Sequence, residues 1–157
     1  MALSSTADAG APDDHGFTLL EVMVTILVIG ILLAVGVPTY QGARDRSQNS
    51  AAQQSLYDGI VAATIVYTDE LDFADADATG MARDEPSLSY VASPAPSTHE
   101  EQLSVTTAFS DSMWAAAVLS DSGTCFYART EGRGDVVYAS STSSACTGGV
   151  ALTIPAG

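Results

Sequence analysis

The feature that most constrains this chain is a single acid at the head of an apolar run. Gly16-Phe17-Thr18-Leu19-Leu20-Glu21 leads directly into Val22–Val37, and Glu21 is the only charged residue between Phe17 and Val37. The roughly 21 residues from Phe17 to Val37, at about 1.5 Å each in a helix, match the ~30 Å hydrocarbon core of a bilayer. A carboxylate inside such a span is expensive unless it reaches interfacial water or meets a cation. Either Glu21 sits at the membrane surface, or another group neutralises it.

Charge narrows the classes further. The 157 residues hold 19 acids against 5 basic residues, a net charge of −14, and every basic residue is arginine: Arg44, Arg46, Arg83, Arg129 and Arg133. No basic stripe exists to neutralise phosphates, so no direct nucleic-acid groove is expected. The length allows one compact domain plus an appendage.

Residues 1–16 are small and polar, with Asp8, Asp13 and Asp14 and no basic residue. Such a segment cannot bury enough surface to fold and reads as a leader peptide. An ordinary secretory signal has a positive start, then an apolar stretch, then a small-residue cleavage site. Here the small residue, Gly16, precedes the apolar stretch, so cleavage there leaves the hydrophobic helix on the mature chain.

That order carries a resemblance. GFTLLEVMVTILVIGILLAVGVPTY resembles the processing site and N-terminal helix of type IV pilins and of their secretion and competence pseudopilin relatives. The matching positions are Gly16, Phe17, Glu21 and Pro38. The resemblance implies cleavage between Gly16 and Phe17 by a prepilin peptidase, with N-methylation of Phe17. It also implies pairing of Glu21 with the freed ammonium of a neighbouring subunit, and loss of helix around Gly30–Pro38 in the filament. It further implies partners: other pilin subunits in a homopolymer, the pilus assembly machinery and the membrane. The expected product is a structural filament subunit, first a single-pass membrane precursor with its C-terminal domain outside, then part of a cell-surface filament. A minor pilin or a pseudopilin is the nearest alternative. A membrane-anchored binding domain that does not polymerise is the alternative from another class. The leader departs from the family in carrying Asp13-Asp14-His15 where Lys or Arg is usual. Arg44 and Arg46 lie beyond the span, so charge bias alone would place the C-terminal side in the cytoplasm; the motif and the cysteines call for the opposite.

Beyond Pro38, the spacing of Ala52, Leu56, Ile60, Ala63, Tyr67 and Leu71 traces one helical face, with Arg44, Asp45, Arg46, Gln48, Asn49, Gln53 and Asp58 opposite. The expected organisation is a leader over 1–16, a transmembrane helix over 17–37, an amphipathic continuation over 38–71 and a globular head over 72–157. Residues 72–100 lack periodicity and read as loop. Strand-like runs follow at Leu103–Phe109, Met113–Leu119, Cys125–Thr130 and Val136–Ser140, the last two joined by a hairpin loop, with Val150–Ile154 as a final short strand. The fold class is α+β: a long N-terminal helix packed on a C-terminal antiparallel sheet, with Trp114, Phe126, Tyr127 and Tyr138 between them.

Cys125 and Cys146 would pair in an oxidising compartment, closing a loop for roughly 3 kcal/mol, and would be two buried thiols in a cytosolic chain. The membrane segment upstream favours the disulfide. Asp75-Ala76-Asp77-Ala78-Thr79-Gly80 resembles the opening of a calcium loop, but the twelfth position is Pro86 and Glu85 falls one early. Asp75, Asp77, Thr79 and Glu85 are therefore a secondary calcium set beside the default of acidic clustering, and no metal or other cofactor is expected. Arg133-Gly134-Asp135 reads as turn chemistry. His99 stands alone without a nucleophile or base partner, so no enzyme is expected.

Overall fold

The computed structural model describes residues 16–108, 112–131, 134–142 and 145–155. All but the last residue of the leader, together with Arg133 of the Arg-Gly-Asp tripeptide and Phe109 of the first strand run, lie outside the described residues. The chain forms two compact units, Met1–Tyr40 and Gln41–Gly157.

The helix-forming pattern beyond Phe17 meets no stop signal strong enough to end it, and α1 runs from Leu19 to Glu70 with Pro38 inside. Proline has no N–H to give the preceding turn; next to it, the Thr39 hydroxyl donates to the Val35 carbonyl at 3.0 Å. The helix ends where Leu71 takes a positive φ of 62°, its N–H closing onto the Tyr67 carbonyl at 2.8 Å. Leu71 is thus the left-handed residue after the helix. It is exposed and does not extend the apolar stripe, contrary to the helical-spacing expectation.

In the second unit the stripe holds at Ala52, Leu56, Ile60 and Ala63, then passes to Val66, with Tyr67 half-buried beside it. Asn49, expected on the outer face, accepts a hydrogen bond from the Ser122 hydroxyl at 2.6 Å.

Two elements form where loop was expected. α2 (Ala78–Asp84) is started by Asp77, whose carboxylate accepts from the Thr79 and Gly80 N–H groups at 2.8 Å each. β1 (Ser89–Ala92) then pairs parallel to β2 (Gln102–Ala108). β3 (Met113–Leu119), β4 (Cys125–Glu131) and β5 (Asp135–Ser141) follow antiparallel, in the spatial order β1-β2-β3-β4-β5. The result is the α+β plan expected from the sequence: a long helix and a mostly antiparallel five-stranded sheet.

Alternation along the strands sorts the core into two layers. Leu103, Val105, Trp114, Ala116, Val118 and Ala128 pack with the α1 stripe, Phe73 and Met81. Ala115, Ala117, Cys125 and Tyr127 face the other way, against Cys146 and Ala151. β3 is buried on both faces, which is why its sequence is apolar throughout. The same parity corrects one expectation: Trp114 and Phe126 lie toward α1, whereas Tyr127 belongs to the opposite layer. Its hydroxyl donates to the Ala145 carbonyl at 3.3 Å and lies 3.2 Å from the Ser141 hydroxyl.

The last apolar run is a second correction. Val150–Ile154 is no strand; α3 (Gly148–Ala151) and a following turn occupy it, capped by Thr147. Gly148 sits against the β2 backbone, where a Cβ would fall 2.8 Å from the Ser104 carbonyl oxygen. Its N–H donates to the Ser104 hydroxyl at 3.1 Å, and that hydroxyl donates to the Ala95 carbonyl at 2.6 Å. The segment covers the back of the sheet, and a run of this length reads alike as strand or helical turn until packing decides.

Candidate functional site

The chemistry-bearing segment is the start of α1. Gly16, Phe17 and Thr18 precede the helix, and the Glu21 N–H donates to Thr18, 3.1 Å from both its hydroxyl and its carbonyl oxygen. Thr18-Leu-Leu-Glu21 is the T-x-x-E pattern of a capping box, in which the first residue satisfies an orphan N–H of the first turn. This role of Thr18 escaped the reading above, although the signal was in the sequence. The cap fixes Glu21 in the first turn of the helix, where the positive end of the helix dipole favours a negative side chain. Its carboxylate makes no hydrogen bond or ion pair among the described residues.

Every residue from Gly16 to Ser47 is exposed. Within that stretch the helix has an 18-residue window of mean hydropathy 2.7 with none of it buried, long and apolar enough to cross a membrane. Phe17 is 81% exposed and Leu33 57%, so among the described residues nothing covers the helix at either position. Gly30 and Ala34, one turn apart, help line a shallow apolar groove of about 530 Å³ with Met23, Ile26, Leu27 and Ile31. Nothing lies within 4 Å of a Cβ built at Gly30 or Gly36. Small residues in such a helix let a second helix approach closely.

The remaining candidates fall elsewhere. Cys125 and Cys146 are joined in a disulfide across 21 positions, with Cα atoms 5.6 Å apart and both residues buried. Asp77 of the calcium-like stretch is engaged in capping α2, and among the described residues no group of three His, Cys, Asp or Glu side chains converges to hold a metal. Arg83 pairs with Asp84 at 2.8 Å; that hydrogen bond raises the guanidinium pKa and lowers that of the carboxyl. His99 is exposed, its Nδ1 accepting from the Glu101 N–H at 3.3 Å.

Comparison with known proteins bears on the same segment. The family model described as the prokaryotic N-terminal methylation motif matches residues 12–37. The type IV major pilin protein PilA of Myxococcus xanthus is 40% identical over 45 residues, 29% of this chain and 20% of that protein. The fimbrial protein EcpC of Eikenella corrodens is 54% identical over 37 residues, 24% of each chain. The type IV major pilin protein PilE1 of Neisseria gonorrhoeae is 51% identical over 37 residues, 24% of this chain and 22% of that one. The aligned part therefore spans only about a fifth to a quarter of these relatives' own length. No solved structure matches the chain.

Proposed function

We propose that this chain, whose N-terminal segment is similar to those of type IV pilins, is a structural subunit of a type IV pilus filament, not an enzyme. Prepilin peptidase cuts between Gly16 and Phe17 and methylates the new N-terminus. Residues 1–16 are the removed leader and 17–37 the membrane and filament-core helix. Residues 38–71 continue that helix, and 72–157 form the head.

The observation that carries this reading is an apolar helix exposed all round, with one carboxylate in its first turn that has no partner among the described residues. In the membrane precursor, lipid covers the apolar surface. On transfer to a filament, the same surface is covered by helices of other subunits. Glu21 then meets the ammonium that cleavage creates at Phe17 of a neighbour. Burying one charge alone is costly and burying an opposed pair much less so, so pairing sets the register in which a subunit enters. The assembly machinery and other pilin subunits are the implied partners. A major pilin, a minor pilin and a pseudopilin share this mechanism and differ in abundance within sheared filaments.

Mass spectrometry of the chain from peptidase-containing cells tests the proposal. The expected mature species begins at N-methyl-Phe17. An intact leader would instead support a membrane-anchored domain that does not polymerise. In the same cells, Glu21→Ala should leave cleavage intact while reducing recovery in sheared filaments at least tenfold. Normal filaments built from that variant alone would remove the pairing argument.

A further inference from the structure

In the Gln41–Gly157 unit, α1 lies over the centre of the sheet and leaves the β4–β5 margin of the same face open. An uncharged aromatic groove of about 490 Å³ results, lined by Gln53, Leu56, Tyr57, Phe126, Tyr138 and Ser140. Its volume lies within the ~300–1,000 Å³ of small-molecule sites. Phe126 pairs with Ser140 and Ala128 with Tyr138 across the two strands, so Phe126, Tyr138 and Ser140 share one face. Tyr57 and Tyr138 are 55% and 56% exposed, large aromatic surfaces left to solvent.

Four groups in the groove have unspent hydrogen-bonding capacity. The Gln53 amide and the Tyr57, Tyr138 and Ser140 hydroxyls make no hydrogen bond within the chain among the described residues. All four are neutral, and each both donates and accepts. No charged side chain lines the groove, although the chain carries 19 acids. An anionic ligand would find no cation here and would meet the field of a net −14 molecule. The lining instead suits an uncharged ligand with apolar faces and many hydroxyls. We propose that this groove binds a neutral oligosaccharide, the C–H faces of its rings stacked on Tyr57 and Tyr138 and its hydroxyls meeting Gln53 and Ser140. Tyrosine supplies both requirements, a broad apolar ring and a polar tip. The site lies wholly within one unit, Gln41–Gly157.

The test is saturation-transfer NMR on the full chain in lauryldimethylamine oxide micelles, which contain no sugar. Maltotetraose and chitotriose serve as neutral probes and sialyllactose as the anionic control. Transfer to the ring C–H protons of at least one neutral probe is expected, with affinity at least tenfold weaker in Tyr57→Ala and in Tyr138→Ala. Tyr57→Phe, which keeps the ring, should retain most of the affinity. Unchanged Trp114 emission confirms the fold of each variant. The proposal is overturned by no transfer to either neutral probe, by transfer undiminished in both alanine variants, or by sialyllactose binding equally well.

Discussion

The contact between α1 and β2 offers a sharp test of the fold. Leu103 is fully buried, and its side chain occupies the space that a Cβ on Gly59 would need, with the Trp114 ring 3.6 Å from the same point. Leu103→Ala removes that side chain from a site that collapses poorly. Gly59 has no side chain to move inward, and Trp114 is pinned by its Nε1–H donating to the Ala76 carbonyl at 3.0 Å. Leucine truncations in cores cost ~2.7–5.0 kcal/mol, more where the cavity persists, so a loss of about 4 kcal/mol is expected. For a unit of this size that lowers the melting temperature by roughly 16 °C.

The second arm is Gly59→Ala. Beside native Leu103 the added methyl forces the leucine aside, offsetting the gain in helix propensity of about 1 kcal/mol. In the Leu103→Ala background the same methyl enters the void, and the substitution should recover about 1–2 kcal/mol from propensity and burial together. Thermal or urea melts of the full chain in micelles, followed by emission of Trp114, the only tryptophan, measure all four corners of the cycle. A coupling below ~0.3 kcal/mol would mean the two sites do not touch, and the packing of α1 on β2 would be refuted.

Two further outcomes follow from the head. Cys125→Ala/Cys146→Ala opens a loop of 21 positions and should cost about 3 kcal/mol by denaturant titration; an unchanged midpoint would show that the bridge does not constrain the unfolded chain. Tyr90 is half-buried and its hydroxyl has no partner among the described residues. Burial, then Glu85 and Asp58, push its pKa far above the ordinary tyrosine value. Its contribution to stability is present below the unfolded-state value near ~10 and is lost above it, because only the unfolded chain then ionises. Tyr90→Phe should therefore be no less stable than the parent at pH 7 and should lose less stability above about pH 10; a loss beyond ~1 kcal/mol at pH 7 would show that the hydroxyl is hydrogen-bonded after all.

Local pattern made much of this molecule legible. A membrane-length apolar run with a lone acid needs no tertiary information, because composition and helical rise alone set its length and cost. The α1 stripe at Ala52, Leu56, Ile60 and Ala63 and the runs that became β2 to β5 are carried by consecutive residues, alternating with Ser and Thr in β2 and apolar throughout in β3. Thr18 carried a capping signal in the sequence that is visible once paired with Glu21, three positions on.

Other outcomes belonged to the tertiary structure. α2 and β1 are too short to display a period. One depends on the Asp77 cap, the other on a parallel neighbour that the chain reaches only after a detour. Tyr127 and Trp114 are equally aromatic, and strand register alone sends one to the disulfide layer and the other to α1. Val150–Ile154 was apolar enough for a strand, but Gly148 fits against the β2 backbone and places α3 over the back of the sheet. The open groove beside Tyr57 and Tyr138 exists because a single helix does not cover five strands. The sequence by itself determined the membrane-length apolar helix, its carboxylate and the local apolar patterns of α1 and the strands. Which faces meet, and which stay uncovered, depended on shape complementarity between segments far apart in the chain.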